Sequence, residues 1–75
     1  MDTQHEDDEL VRRALAAWYR GGGTDAPAGG YVTELDGREY VVLTGPDAPL
    51  AVFRVRAFDG VLRRMRRWPK EVEAK

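Results

Sequence analysis

The chain has 75 residues, which bounds it to one small domain, and its net charge of −1 lacks the basic balance usual for nucleic-acid-binding domains. It contains neither cysteine nor serine, which excludes disulfides, thiolate zinc sites and nucleophilic catalysis by either residue. Hydrophobic residues make up 43% and charged residues 33%, a balance typical of globular rather than disordered chains.

Residues 3–20 carry the pattern of an amphipathic helix. Thr3 and Glu6 form a capping-box pattern, and the acidic first turn complements the helix dipole. Asp8–Arg12 and Glu9–Arg13 are expected as ion pairs one turn apart on the outer side. Apolar residues at spacings of three and four predict one buried stripe, formed by Leu10, Val11, Ala14, Leu15 and Trp18. Glycines end the helix and open a connector over residues 21–30.

Residues 31–58 predict a three-stranded antiparallel meander. Asp36-Gly37 separates two runs of β-branched and aromatic residues, which is a strong hairpin signal. The turn at residues 45–49 leads into a third strand over residues 50–58. There Phe53 and Val55 alternate with Arg54 and Arg56, so one face is expected to pack the helix and the other to be basic and wet.

The segment 59–68 fits two structures. On a helix, Val61, Leu62, Met65 and Trp68 fall on one side and the arginines on the other. On a strand, Leu62 and Met65 point to opposite faces. The periodicity favours a short C-terminal helix over a fourth strand, ending before Pro69, and the tail, residues 69–75, is expected to fray. The predicted fold is a single α+β domain with the N-terminal helix packed on the sheet.

The protein is expected to reside in the cytoplasm. Charged residues interrupt every apolar stretch before it reaches the length of a transmembrane helix. The acidic start of the chain is also the opposite of the basic region that opens a secretory signal.

Several short stretches together resemble uncharacterised short actinobacterial proteins of the Streptomyces type. These are AWYRGGGTD at 17–25, YVVL at 40–43, LAVFRVR at 50–56, DG at 59–60 and RRWP at 66–69. The resemblance covers most of the chain. It implies a cytoplasmic bacterial protein, with no activity and no site residue attached to it.

Catalytic, metal and cofactor sites find little support. His5 and Glu9 lie one turn apart, but no second histidine or cysteine could complete a metal site. The glycines at 21 and 23 follow a helix, whereas a dinucleotide-binding fingerprint must follow a strand. We therefore predict no enzyme, no catalytic residue, no metal and no cofactor.

The arginines near the C-terminus are the candidate site. Five acidic residues and no basic one lie in residues 2–9, whereas residues 54–67 hold six arginines and one aspartate. The two ends neutralise each other inside the fold, or each faces a partner. The candidate partner-binding residues are Tyr40, Arg54, Arg56, Arg63, Arg64, Arg66, Arg67 and Trp68.

Two functions fit this cluster. The leading hypothesis is a small protein-interaction or regulatory module that holds an acidic partner protein or a second copy of itself. The alternative is a nucleic-acid-binding accessory protein whose arginines contact phosphates and whose aromatic residues stack on bases. The third possibility is that the arginines form only a solvated or internally paired face. No membrane partner and no small-molecule substrate are inferred.

Overall fold

The computed structural model describes the backbone of residues 3–73 and the side chains of residues 7–72. The elements in chain order are α1 (Thr3–Arg20), β1 (Gly29–Leu35), β2 (Arg38–Thr44), β3 (Pro49–Val55), β4 (Leu62–Arg64) and α2 (Lys70–Glu73). The strands form one antiparallel sheet in the order β1-β2-β3-β4. The predicted α+β class and the meander are confirmed.

Helix α1 forms and ends as its sequence predicts. The stripe from Leu10 to Trp18 packs against the sheet, with Ala14 and Trp18 buried. The N–H of Gly22 bonds to the carbonyl of Tyr19 at 3.1 Å, and that of Gly23 to the carbonyl of Trp18 at 3.0 Å. This is a Schellman motif, and its left-handed position is Gly22 with φ of 95°.

The β1–β2 hairpin turns at Asp36-Gly37 as predicted. Leu35 pairs with Arg38, which leaves a two-residue loop whose φ angles are 54° and 75°. Positive φ at both positions is the requirement of a type I′ turn, which matches the twist of the flanking strands.

Both faces of the sheet are covered. On the helix face, Val41, Leu43 and Phe53 pack under α1. On the opposite face, here called the tail face, Tyr40, Val42 and Val52 form a second cluster with Val72, Met65 and Trp68. The prediction of a basic, wet outer face is therefore wrong for most of that face. Only the end that carries Arg54 is exposed.

The favoured helix over residues 59–68 is wrong. Residues 62–64 are strand β4, paired with Phe53, Arg54 and Val55. Strand β3 ends at Val55 rather than at residue 58, since the chain turns back through residues 56–61. As the strand alternative required, Leu62 packs on the helix face and Met65 on the tail face. Pairing of this segment with the free edge of β3 determines its structure, although its apolar residues recur at a helical spacing.

The prediction that the tail frays is wrong for residues 69–73, which are part of the fold. Val72 in α2 is 1% exposed, and the hydroxyl of Tyr31 donates to its carbonyl at 3.0 Å. The short helix closes the tail face because it packs across β2 and β1.

Ion pairing on α1 differs from the prediction. Arg12 pairs with Glu9 at 3.5 Å, three residues away, and Arg13 donates instead to the carbonyl of Gly60 at 2.9 Å. The Thr3–Glu6 capping box and the side chain of His5 lie outside the described residues. Neither α1 nor α2, the helices of the described chain, is long and apolar enough to cross a membrane.

Candidate functional site

The register of β3 and β4 brings the predicted arginines together. Arg54 lies directly opposite Arg63 on the neighbouring strand, at the exposed end of the tail face. A concavity of about 360 Å³ beside them is lined by Arg54, Arg56, Arg63, Arg64 and Met65. We call this concavity the arginine groove. Four of its five lining residues are cations, so its electrostatic potential favours an anion.

One arginine of the groove is already engaged by an acidic group. Arg56 donates from Nε and Nη2 to the carboxylate of Asp59, with a shortest distance of 2.8 Å. This hydrogen bond raises the pKa of Arg56 and holds the pKa of Asp59 below its usual range. The same carboxylate accepts the N–H of Val61 at 3.1 Å, so the pair fixes the β3–β4 turn. Arg56 is thus mainly a structural residue of this turn.

The other three groove arginines have no such partner among the described residues. The ion pairs of residues 7–72 are Arg12–Glu9 and Arg56–Asp59. The guanidinium of Arg64 lies over the ring of Trp18, with 5.0 Å from Cζ to the ring centroid. Arg54 also borders a concavity that contains Glu34 and Glu39, without reaching ion-pair distance of either. Neutralisation of the arginines by the acidic end of the chain is not seen in this part of the molecule.

The remaining predicted residues fall in different places. Arg66 and Trp68 line a second concavity of about 580 Å³, which shares Arg64 and Met65 with the arginine groove. Arg67 is exposed and lines neither concavity. Tyr40 lies beside Arg54 in the register, as predicted, but only 3% of it is exposed. Tyr40 therefore packs the core and offers no surface for stacking.

A second groove beside β4 was not predicted. It lies between α1 and the β4 edge, has a volume of about 360 Å³, and is lined by Arg13, Ala16, Ala17, Arg20, Val61 and Leu62. We call it the helix–edge groove. Its signal in the sequence is weak: Arg13 and Arg20 are two turns apart and share one side of α1 with Ala16 and Ala17, but small and charged residues at this spacing do not stand out beside the buried apolar stripe.

The described part of the chain holds no group of three or more histidine, aspartate or glutamate side chains placed to bind a metal ion. Phe58 is 81% exposed, and the centroid of its ring lies 5.0 Å from Arg56 Cζ. Oxyanion binding by guanidinium groups is what this arrangement favours chemically.

Comparison with known proteins gives no match: no family model, no curated protein and no solved structure is similar to this chain. The function is therefore inferred from the geometry of the β3–β4 edge.

Proposed function

We propose that this chain is a small, non-enzymatic interaction module of the cytoplasm that binds an acidic segment of a partner protein in the arginine groove. The observation that carries the proposal is the direct cross-strand placement of Arg54 opposite Arg63 without a described carboxylate in ion-pair distance. Like charges in this position destabilise a sheet. Features that break a local rule in this way are expected at functional sites, where a bound anion removes the repulsion.

The geometry favours an acidic protein segment over single-stranded nucleic acid. Base recognition on a sheet requires aromatic rings exposed on the sheet face, and the ring that neighbours Arg54 on that face is the buried Tyr40. The exposed ring of Phe58 lies in the β3–β4 turn, off the strands, and is already covered on one side by Arg56. Trp68 is half-buried against the tail-face cluster. What the groove presents is guanidinium groups beside the thioether of Met65, which suits carboxylates on a partly apolar peptide.

The first prediction concerns binding of an acidic peptide. A fluorescein-labelled peptide rich in glutamate is titrated with the protein and followed by fluorescence anisotropy. We expect saturable binding that Arg54→Glu and Arg63→Glu each weaken about tenfold or more, because each reversal replaces an attraction with a repulsion. Raising the salt from about 50 to 200 mM should also weaken binding, since it shortens the Debye length.

Arg12→Glu is the matched control. It makes the same change of charge at an exposed position on α1, outside both grooves, and should leave the affinity within about twofold at the higher salt. Single-stranded and duplex oligonucleotides compete in the same assay. Displacement of the peptide by either at lower concentration than unlabelled peptide supports the nucleic-acid alternative. Equal affinity of wild type, Arg54→Glu and Arg63→Glu contradicts the proposed site.

A further inference from the structure

The edge of the sheet beside the arginine groove is open. The strand order places β4 last, so one side of its backbone pairs with β3 and the other has no strand of residues 3–73 beside it. The hydrogen bonds to β3 fix which groups point outward. The N–H of Arg56 bonds to the carbonyl of Val61 at 2.9 Å, and the N–H of Met65 to the carbonyl of Val52 at 2.9 Å.

These two bonds define the alternation along the edge. In an antiparallel pair, hydrogen-bonded residues alternate with residues whose N–H and C=O point away from the partner strand. Val61 and Met65 are of the first kind, and so is Arg63, which lies midway between them. Leu62 and Arg64 are of the second kind. Their backbone groups therefore point to the outer side of the sheet.

We propose that the acidic partner segment binds as a fifth strand, antiparallel to β4, between this edge and α1. The inference depends on the proposed function and specifies its binding mode. The backbone groups of Leu62 and Arg64 would form two hydrogen-bonded pairs with alternate residues of the segment. The side chains of these paired residues of the segment would lie on the helix face, where the helix–edge groove of about 360 Å³ provides space next to Ala17 and Leu62.

The side chains along the edge specify the order of the partner's residues. A segment antiparallel to β4 meets Arg64 first, then Arg63, then Leu62. A carboxylate fits opposite Arg64, and a second fits opposite Arg63 on the tail face beside Arg54. An apolar side chain fits opposite Leu62, in the groove that contains Val61, which is 41% exposed. The preferred order is acidic, acidic, apolar in the N-to-C direction.

The other edge does not suit the same partner. Strand β1 carries one charged residue, Glu34, and no basic residue. An acidic strand added there would meet repulsion and no compensating cation. Charge complementarity thus selects β4, although β4 has three residues and β1 has seven.

The test uses a short peptide with the core Glu-Glu-Val flanked by threonines, titrated against the full chain by anisotropy. Peptides carry a single N-methyl group at one of the three core positions. The first glutamate and the valine would donate their N–H groups to Arg64 and Leu62, so methylation at either should weaken binding about tenfold or more. The N–H of the middle glutamate points away from β4, so its methylation is the matched control and should change the affinity less than about threefold.

A peptide with the core reversed to Val-Glu-Glu has the same charge and composition and should bind more weakly, because its valine lies opposite Arg64. Equal effects of methylation at all three positions, or no effect at any, overturn strand addition. If strand addition is overturned but Arg63→Glu still weakens binding of these peptides, the proposal that the groove binds an acidic segment stands without it. If neither the unmodified peptide nor a polyglutamate peptide binds, the proposed function and this inference both fall.

Discussion

Trp18 connects the helix, the connector and the arginine cluster through separate contacts. Its indole Nε1 donates to the carbonyl of Asp25 at 2.9 Å, and its ring lies under the guanidinium of Arg64. The Schellman motif returns the chain so that the backbone of Gly23 packs on the indole. This one residue thus fixes both the end of α1 and the position of a groove arginine.

Gly23→Ala tests how tightly this arrangement is packed. A Cβ at position 23 would overlap the indole carbons of Trp18, although the backbone angle there lies outside the left-handed region. We expect a loss of about 1–3 kcal/mol in the free energy of unfolding, measured by urea denaturation. Gly29→Ala is the control, because its nearest contact would be Thr44 Oγ1 at an ordinary 3.5 Å. Equal stability of the two variants would contradict the tight contact.

At the scale of the elements, the longest local signals were the most informative. The apolar stripe of α1 spans several turns, and Asp36-Gly37 requires a particular turn type, so both were predicted from sequence and are confirmed. Strand β4 has only three residues, so the alternation of side chains that marks a strand is too short to be recognised beside the helical spacing of the apolar residues. Its strand character comes from pairing with β3, a long-range contact that no local period contains.

The candidate site was predictable in its residues but not in its arrangement. Six arginines within fourteen positions identify a basic region, whatever the secondary structure. The placement of Arg54 opposite Arg63 depends on where the turn between their strands begins. The sequence predicts the end of β3 at residue 58, three residues beyond its observed end at Val55. The burial of Tyr40 depends on α2, which was predicted as a frayed tail.

Val72→Ala tests whether α2 belongs to the folded core. Val72 is 1% exposed in the tail-face cluster with Tyr40 and Val52. Removing two methyl groups there should lower the free energy of unfolding by about 1–2 kcal/mol, measured by urea denaturation. The neighbouring Glu71→Ala changes an exposed side chain and should shift stability by less than about 0.5 kcal/mol. If the two substitutions have the same small effect, α2 contributes nothing to the core.

For the molecule as a whole, binding and stability make opposite demands on the same residues. The arginine groove holds Arg54, Arg63 and Arg64 without an ion pair to any carboxylate of residues 7–72, which suits an anionic ligand and weakens the free protein. A chain of 75 residues has a small core and little stability to lose. The two sheet faces compensate, because each has its own covered apolar cluster.

Arg63→Glu should therefore stabilise the free protein while it weakens peptide binding. The new carboxylate lies opposite Arg54, so a like-charge pair becomes an opposite-charge pair worth about 0.5 kcal/mol in the free energy of unfolding. Urea denaturation at low salt measures the gain, and salt should reduce it. In an Arg54→Gln background the same substitution should give little gain, because the facing cation is absent. A gain of equal size in both backgrounds would show that the effect comes from net charge, and that the repulsion between Arg54 and Arg63 does not set the stability of this edge.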